Sequence, residues 1–593
     1  MPGKKYYFWW KNQHSRRFTW LKVSIVVFWG IFIFRLFYLQ LIEGNYYWMK
    51  AENNRLQYYR LQAPRGLIFD RNGTKLVGNQ PRYSLYVSMQ GLLNEEKRSI
   101  SRRLSEITGI NKEKILERFS SGDRLPFSVV KLISHLSSEE IARIEENIHH
   151  LPHTSIQIEH RRRYPFGKNG SHILGYLGKI SNKSLNEMKK YGYRLRDEIG
   201  KCGVEKKYDL MVRGEDGYSE VEVEVSGRQQ RVIKTCDAKI GNNLLLTIDW
   251  DLQETAMKAM GDKEGAVVAM DPGTGEILVW LSKPGFDPED FTLPLTADKA
   301  EELFKDPRHP LYDRVIQGQY APGSIFKLIT ALAALEEDEE NVEQEFTCDG
   351  AIVLGYDRRV FRCWKDKHHG KLKLLDAIAN SCNVYFYQLG IKTGAYNIYR
   401  TAKKMGLGKP AQNMFEKEKS GNIPDARWKK EYFGSGWYPG DTANMSVGQG
   451  YVLVNPLQLL RMVSAIAMKG MSYEPYLLKL VISPDRKVIL KNTPKLEEKI
   501  NISEAIFDKI IDGMERVTKY GTAQFLNLPL EVASKTGTAE SPGGEDNSWY
   551  VCFAPVDDPQ IAIVVLVENG GYGSVAAMPV AREILKKKFL AVN

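Results

Sequence analysis

The sequence predicts an α+β protein carried on a single membrane-spanning helix, on three observations. Its 593 residues are too many for one ordinary hydrophobic core, so the chain is expected to divide into two or more domains. One apolar run near the N-terminus, from Phe18 to Leu41, has the length to cross a bilayer. Beyond about residue 240, strand-like and helix-like patterns are interspersed to the end, closing with a buried strand at Ile561–Val567 and a helix at Ala576–Leu590. Elements of that kind packed on one sheet make an α+β domain.

The first 17 residues carry Lys4, Lys5, Lys11, Arg16 and Arg17 and no acidic residue, so residues 1–17 are expected in the cytoplasm and everything after Leu41 outside it. The run 18–41 is too long and aromatic for a cleaved signal, and no small-residue cleavage site follows it. Apolar residues make up 43% of the chain and charged residues 26%, which excludes wholesale disorder. The net charge of +11 fits an anionic lipid surface, an acidic substrate or nucleic acid, and composition does not choose among them.

After the apolar run, Glu43–Gln62 reads as a helix leaving the membrane, broken by Ala63-Pro64-Arg65-Gly66. Leu67–Asp70 is predicted as a strand entering a turn, Glu95–Ser120 and Ser137–His149 as helices, and Val221–Val225 as a half-exposed strand. A boundary is expected near residue 240. Past it, Leu244–Ile248 reads as a strand and Asp251–Met260 as a helix. Gly265–Met270 and Glu276–Leu281 read as a hairpin. Residues 42–238 contain nothing with the spacing of a catalytic site.

Chemistry enters at Ala321-Pro322-Gly323-Ser324-Ile325-Phe326-Lys327. Pro and Gly break the chain before the serine, which predicts Ser324 at the N-terminus of an apolar helix running to Leu335, where free N–H groups can hold an oxyanion. Lys327, three residues on, shares its face of the helix. A serine needs an adjacent base, and a desolvated lysine can be neutral enough to serve. Ser381-Cys382-Asn383 follows, inside an otherwise helical stretch from Leu374 to Gly390. Lys535-Thr536-Gly537-Thr538 comes later, after the strand-like Leu530–Ser534. Each motif alone is weak; the three in this order, with this local structure, form the serine–lysine, S-x-N and K-T-G set of β-lactamases and penicillin-binding proteins.

More of the chain agrees. Ala63–Gly73 (APRGLIFDRNG), Arg163–Gly178 (RYPFGKNGSHILGYLG) and Gly200–Gly217 (GKCGVEKKYDLMVRGEDG) resemble segments of class B penicillin-binding proteins. Phe361–Gly370, Trp437–Gly450 and Trp549–Pro555 resemble the elongation type, penicillin-binding protein 2. The resemblance implies an elongated pedestal domain over residues 42–238. Over 239–593 it implies a transpeptidase domain, an antiparallel sheet flanked by helices.

It implies a peptidoglycan D,D-transpeptidase that cross-links stem peptides during cell-wall elongation and is a penicillin target. The alternatives are a D,D-carboxypeptidase or a non-catalytic scaffold. Ser324 would attack the penultimate D-alanine of a stem pentapeptide, and an amine from a neighbouring stem would resolve the acyl-enzyme. Lys327 would take the serine proton, Ser381 relay a proton to the leaving amine, and Asn383 hold the substrate amide. Lys535 would supply positive charge, Thr536 and Thr538 would bind the substrate carboxylate, and Gly537 would belong with them to the substrate-binding strand. The N–H groups of Ser324 and Thr538 would form the oxyanion hole. Expected partners are stem peptides, β-lactams, a SEDS-type glycan polymerase and a rod-shape scaffold protein, with no nucleic acid. The expected location is the bacterial cytoplasmic membrane, single-pass, with the catalytic domain outside.

Six cysteines stand at 202, 236, 348, 363, 382 and 552. Cys348, Cys363, Cys382 and a histidine, His369 in preference to His368, make a Cys₃His set of the closed structural zinc kind. A Cys348–Cys363 disulfide across the Ala351–Val360 hairpin is the competing reading. Cys552 is expected to be a buried small hydrophobe.

Overall fold

The computed structural model describes residues 4–590, except 90–91, 121–128, 196, 224–228, 293–294, 356–357, 365–367, 412–414 and 541–543. The N-terminal helix spans Lys4–Phe37 and continues as one π-helical turn, Tyr38–Ile42. Its segment Phe18–Ile42 has a mean hydropathy of 2.1, is unburied, and is long and apolar enough to cross a membrane. Glu43–Gln62 is only partly helical: Gly44–Arg55 is a helix, and Leu56–Leu61 is a strand.

The chain folds into two compact units that are not contiguous in sequence. One holds the residues up to Ala63, Pro81–His160 and Glu215–Lys239; the other holds Pro64–Gln80, Arg161–Gly214 and Ile240–Asn593. A single boundary near residue 240 therefore describes only the last of several passages between them. Two stretches before it join the second unit because their apolar residues, among them Ile68, Val77, Ile173, Val204 and Val212, share its core.

In the first unit, Leu56–Leu61 pairs with Gly217–Val223, which pairs in turn with Gln229–Cys236. The expected strand Val221–Val225 is thus the end of a longer one, its last two residues lying outside the described residues. Residues 83–88 pair antiparallel with Val129–Leu136 over a core of Leu85, Val87, Ile100, Leu104, Phe119 and Leu132. The helix expected over Glu95–Ser120 is two, Asn94–Thr108 and Lys112–Ser120, because Gly109 at φ 70° closes the first. Ser137 and Glu140 cap the next helix, Ser138–Glu146, reciprocally.

The second unit is built on a five-stranded antiparallel sheet in the order Ile277–Lys283, Gly265–Met270, Ile561–Val567, Asn547–Ala554, Ala533–Ala539. Runs such as IAIVVLV at Ile561–Val567 are apolar at every position and are buried throughout, so helices must cover both faces. Trp250–Met260 packs with Met578–Phe589, and Pro456–Ala467 and Glu504–Lys519 cover the strands from their own side. The innermost strands and the last helix are the elements that the apolar patterning predicts.

Patterning does not predict the charged core of the segment Arg65–Asp209. Glu205, with no exposed surface, accepts from Arg162 Nε at 2.6 Å and from Arg65 at 3.0 Å. Arg162 also donates to the Gly66 carbonyl at 2.7 Å, and Arg65 to Asp209 at 2.8 Å. Burial by itself would raise the Glu205 carboxyl, but Arg162 and Arg65 hold it below its ordinary value. Removing one partner of such a network leaves the other charge buried and uncompensated. Glu205→Leu is therefore expected to cost about 3–5 kcal/mol, seen as a lower thermal-unfolding midpoint. Adding Arg162→Met should recover part of the loss; an unchanged midpoint in the single variant would contradict this account of the network.

Candidate active site

Pro322-Gly323 delivers the chain to a 3₁₀ turn, Gly323–Phe326, which runs directly into the α-helix Lys327–Glu337. Ser324 thus sits in a tight turn just ahead of the helix it was expected to open, and Lys327 is the first α-helical residue. Three residues per turn stack Ser324 over Lys327. The turn is wedged between two backbones. Gly323 has φ 53°, and a Cβ there would stand 2.4 Å from the Thr538 carbonyl oxygen. Its N–H donates to the Gly448 carbonyl at 3.0 Å, and Gly448, at φ 70°, would itself put a Cβ 2.3 Å from the Gly323 oxygen. Only glycine fits at either position. Trp549 Nε1 donates to the Ala321 carbonyl at 3.1 Å and ties down the approach to the turn.

Ser381 lies in a break where continuous helix was expected. Leu374–Ala379 ends, Asn383–Thr393 begins, and Ser381 between them has φ 52°. The Cys382 N–H donates to the Ala377 carbonyl at 3.1 Å and the Ser381 N–H to Ile378 at 3.2 Å, which is the Schellman ending of a helix with serine in the place usually held by glycine. The left-handed conformation costs a non-glycine residue about 1–2 kcal/mol. It turns both oxygens of Ser381 toward the lysines. The Cys382 thiol caps the second helix, accepting from the Tyr385 N–H at 3.4 Å.

Lys327 is fully buried. Its Nζ donates to the Ser381 carbonyl at 2.7 Å and to Asn383 Oδ1 at 2.6 Å, and lies 3.2 Å from Ser381 Oγ. A neutral amine has two N–H groups, one for each of those two acceptors, and keeps its lone pair for a hydroxyl proton. Burial lowers Lys327 to about 8.

Lys535, also fully buried, donates to Ser381 Oγ at 2.9 Å and to the Thr536 carbonyl at 3.0 Å. Burial first, and then the charge of Lys327, push it well below its ordinary value. Two ammonium groups sharing one hydroxyl in a dry site are not both charged at neutral pH. Strand alternation puts Lys535 and Gly537 on the same face, and a Cβ on Gly537 would touch Ile325 and the Pro322 carbonyl, so this face is laid against the serine turn. Thr538 is half-buried beside it. Thr536 is buried and its hydroxyl is bonded to that of Thr522 at 2.6 Å. Thr522 and Gly448 belong to the site and were not singled out from the sequence; only the Gly448-Gln449-Gly450 spacing could have pointed to one of them.

The four residues of the Cys₃His reading come together: the ligand atoms of Cys348, Cys363, His369 and Cys382 all lie within 4.8 Å of one another. His369 Nδ1 is 3.7 Å from Cys348 Sγ and 3.5 Å from Cys363 Sγ, and the Cys363 and Cys382 sulfurs are 3.9 Å apart. A tetrahedral zinc with Zn–S of about 2.3 Å and Zn–N of about 2.0 Å would hold S···S near ~3.8 Å and S···N near ~3.5 Å, so the donor set fits. Cys348 and Cys363 are not joined by a disulfide. Cys552 is buried in the central sheet, as its apolar reading requires.

Comparison with known proteins shows the family. Residues 265–586 match the family described as penicillin binding protein transpeptidase domain, and residues 60–246 match the penicillin-binding protein dimerisation domain. The peptidoglycan D,D-transpeptidase MrdA of Salmonella typhimurium is 30% identical over 95% of this chain and 94% of its own. A solved complex between PBP2 and MreC of Helicobacter pylori aligns with a TM-score of 0.80 at 26% identity, covering 91% of this chain and 99% of that one. A structure described as showing structural coordination of polymerization and crosslinking by a peptidoglycan synthase complex aligns at 0.73 and 28% identity, over 97% and 99%. With its serine turn, its S-x-N turn and two buried lysines, one of them on the five-stranded sheet, this chain belongs to the penicillin-binding protein transpeptidase family, in its class B, penicillin-binding protein 2 branch.

Proposed function

We propose that this chain cross-links peptidoglycan stem peptides by D,D-transpeptidation through an acyl-enzyme on Ser324, during cell-wall elongation. The observation that carries the roles is the placement of a buried Lys327 amine between Ser381 and Asn383, one 3₁₀ turn from Ser324. Ser324 Oγ attacks the carbonyl of the penultimate D-alanine and its proton passes to Lys327 Nζ. The N–H groups of Ser324 and Thr538 receive the oxyanion, each such donor being worth about 3 kcal/mol of barrier. The C–N bond breaks, the leaving amine of the terminal D-alanine takes a proton through Ser381 Oγ, and the acyl-enzyme remains. An amine from a neighbouring stem attacks the ester, gives up its proton along the same path and releases Ser324. Water in place of that amine would give the carboxypeptidase reaction. Lys535, with Thr536 and Thr538, meets the substrate carboxylate, which restores the lysine's charge. β-Lactams would acylate the same oxygen.

The helix Phe18–Ile42 supports a single-pass anchor in the cytoplasmic membrane, with the catalytic unit outside. Residues 42–238 would serve as the pedestal and 239–593 as the transpeptidase domain. A rod-shape scaffold protein and a SEDS-type glycan polymerase are the partners this reading gives the chain. Support comes from the alignment with PBP2 bound to MreC and with a peptidoglycan synthase complex. A zinc ion held by Cys348, Cys363, His369 and Cys382 would be structural, fixing the position of the residue next to Ser381.

Fluorescent penicillin added to the detergent-solubilised protein should leave a covalent adduct on the peptide containing Ser324, lost in Ser324→Ala. Lys327→Ala should slow acylation by ~10²-fold or more. A folded protein without an adduct would sink the enzyme reading in favour of a scaffold.

Elemental analysis should find about one zinc per chain, lost together with thermal stability in Cys363→Ser. Metal-free protein of unchanged midpoint would remove the zinc proposal.

A further inference from the structure

The apolar run that supports the anchor is longer than a bilayer needs. Its 25 residues, Phe18–Ile42, rise about 37 Å as a helix, against about 30 Å of hydrocarbon. Two charges lie inside it, Lys22 and Arg35, and Val23–Phe34 between them holds none. Lys22 and Arg35 are 13 residues apart, a rise of about 20 Å, and each side chain reaches about 5 Å along the helix. With Lys22 directed to the cytoplasmic side and Arg35 to the outer side, the charges stand about 30 Å apart, the thickness of the hydrocarbon.

Arg35 has the direction this requires. Side chains on a helix lean toward its N-terminus, but the Arg35 guanidinium lies over the ring of Tyr38, 5.3 Å from its centroid and toward the outer end. The chain changes character at the same level. The α-helix ends at Phe37, one π-helical turn covers Tyr38–Ile42, and a second helix starts at Gly44. On that helix Tyr46, Tyr47, Trp48 and Met49 are all exposed, from 45% to 65%. Four successive residues point in four directions around a helix, so they cannot all enter one groove of a protein partner. Tyrosine and tryptophan suit the headgroup layer, where the ring meets apolar surface and its polar atom meets water. Lys50, whose Nζ lies 5.9 Å from the Tyr46 ring centroid, adds a second cation, and between Arg35 and Lys50 the one acidic residue is Glu43.

We infer that the outer edge of the hydrocarbon lies at Arg35 rather than at the end of the apolar run, that Arg35 binds a phospholipid phosphate there, and that residues 38–49 lie in the headgroup layer. The inference rests on the single-pass anchor reading. An arginine left inside the hydrocarbon is costly, whereas a phosphate accepts two parallel N–H bonds from a guanidinium. Trp29, midway between Lys22 and Arg35, then marks the centre of the bilayer.

The test uses the full-length protein in phosphatidylcholine–phosphatidylglycerol vesicles whose acyl chains carry bromine either just below the headgroup or near the chain end. Emission of Trp29 and of Trp48 is taken as the difference between the unaltered protein and Trp29→Phe or Trp48→Phe. Trp29 should lose emission mainly to chain-end bromine; if neither lipid quenches it, the anchor reading has failed and the inference falls with it. Where Trp29 is quenched, Trp48 should lose emission mainly to bromine below the headgroup. Trp48 quenched by neither lipid, or mainly at the chain end, would overturn the inference. In Arg35→Leu no charge interrupts residues 23–42, so the helix can sink inward, and chain-end quenching of Trp48 should rise about twofold. Arg35→Lys should restore the original pattern. An Arg35→Leu protein with Trp48 quenched as before would overturn the assignment of the boundary to Arg35.

Discussion

Removing the Lys327 amine from water would cost several kcal/mol if it kept its charge, and the catalytic unit is arranged around that penalty. The side chain begins at the first turn of a helix buried from Lys327 to Leu335, and its two nearest acceptors among the described residues are the carbonyls of Ser381 and Asn383, with Ser381 Oγ farther off at 3.2 Å. Two acceptors suit the two hydrogens of a neutral amine. Lys535, arriving from the sheet and sharing Ser381 Oγ, adds a second reason against a double charge. For the serine hydroxyl one 3₁₀ turn away, the base proposed here then needs no carboxylate or histidine partner.

That arrangement requires three backbones to approach more closely than side chains permit. The serine turn lies between the Thr538 carbonyl and the Gly448 loop, and Gly323 and Gly448 are the positions where any Cβ would collide. Ser381 pays in conformation for the same closeness, holding a left-handed φ that directs its carbonyl and hydroxyl to the lysines. Cys382 of the Cys₃His cluster is the very next residue, so the cluster and the strained turn share one segment of chain.

Ser324, Lys327, Lys535 and the S-x-N turn stand out in the sequence because the chemistry proposed for them demands residue types at fixed local spacing. The four cluster residues were legible for a similar reason, sulfur and imidazole being few in the chain. The buried strands could be read from unbroken apolar runs such as Ile561–Val567. What escaped was long-range or conformational. The break at Ser381 is hidden because no glycine or proline marks it. The split at Gly109 is marked by a glycine, but the apolar spacing runs on through it into Lys112–Ser120. The pairing of Glu205 with Arg65 and Arg162 joins segments far apart in sequence and ties residues 64–80 and 161–214 to each other. Thr522 meets Thr536 from the loop after a helix, and nothing local distinguishes it from any other threonine.

The pH dependence of the second-order rate of acylation by a neutral-side-chain β-lactam tests the buried base most directly. Below about 8 the amine of Lys327 is increasingly protonated and unable to take the serine proton. The rate is therefore expected to fall about tenfold per pH unit on the acid side and to level off as pH rises through that value. A rate flat from about pH 6 to 9, or one that falls as pH rises through that range, would contradict a neutral Lys327 as the base.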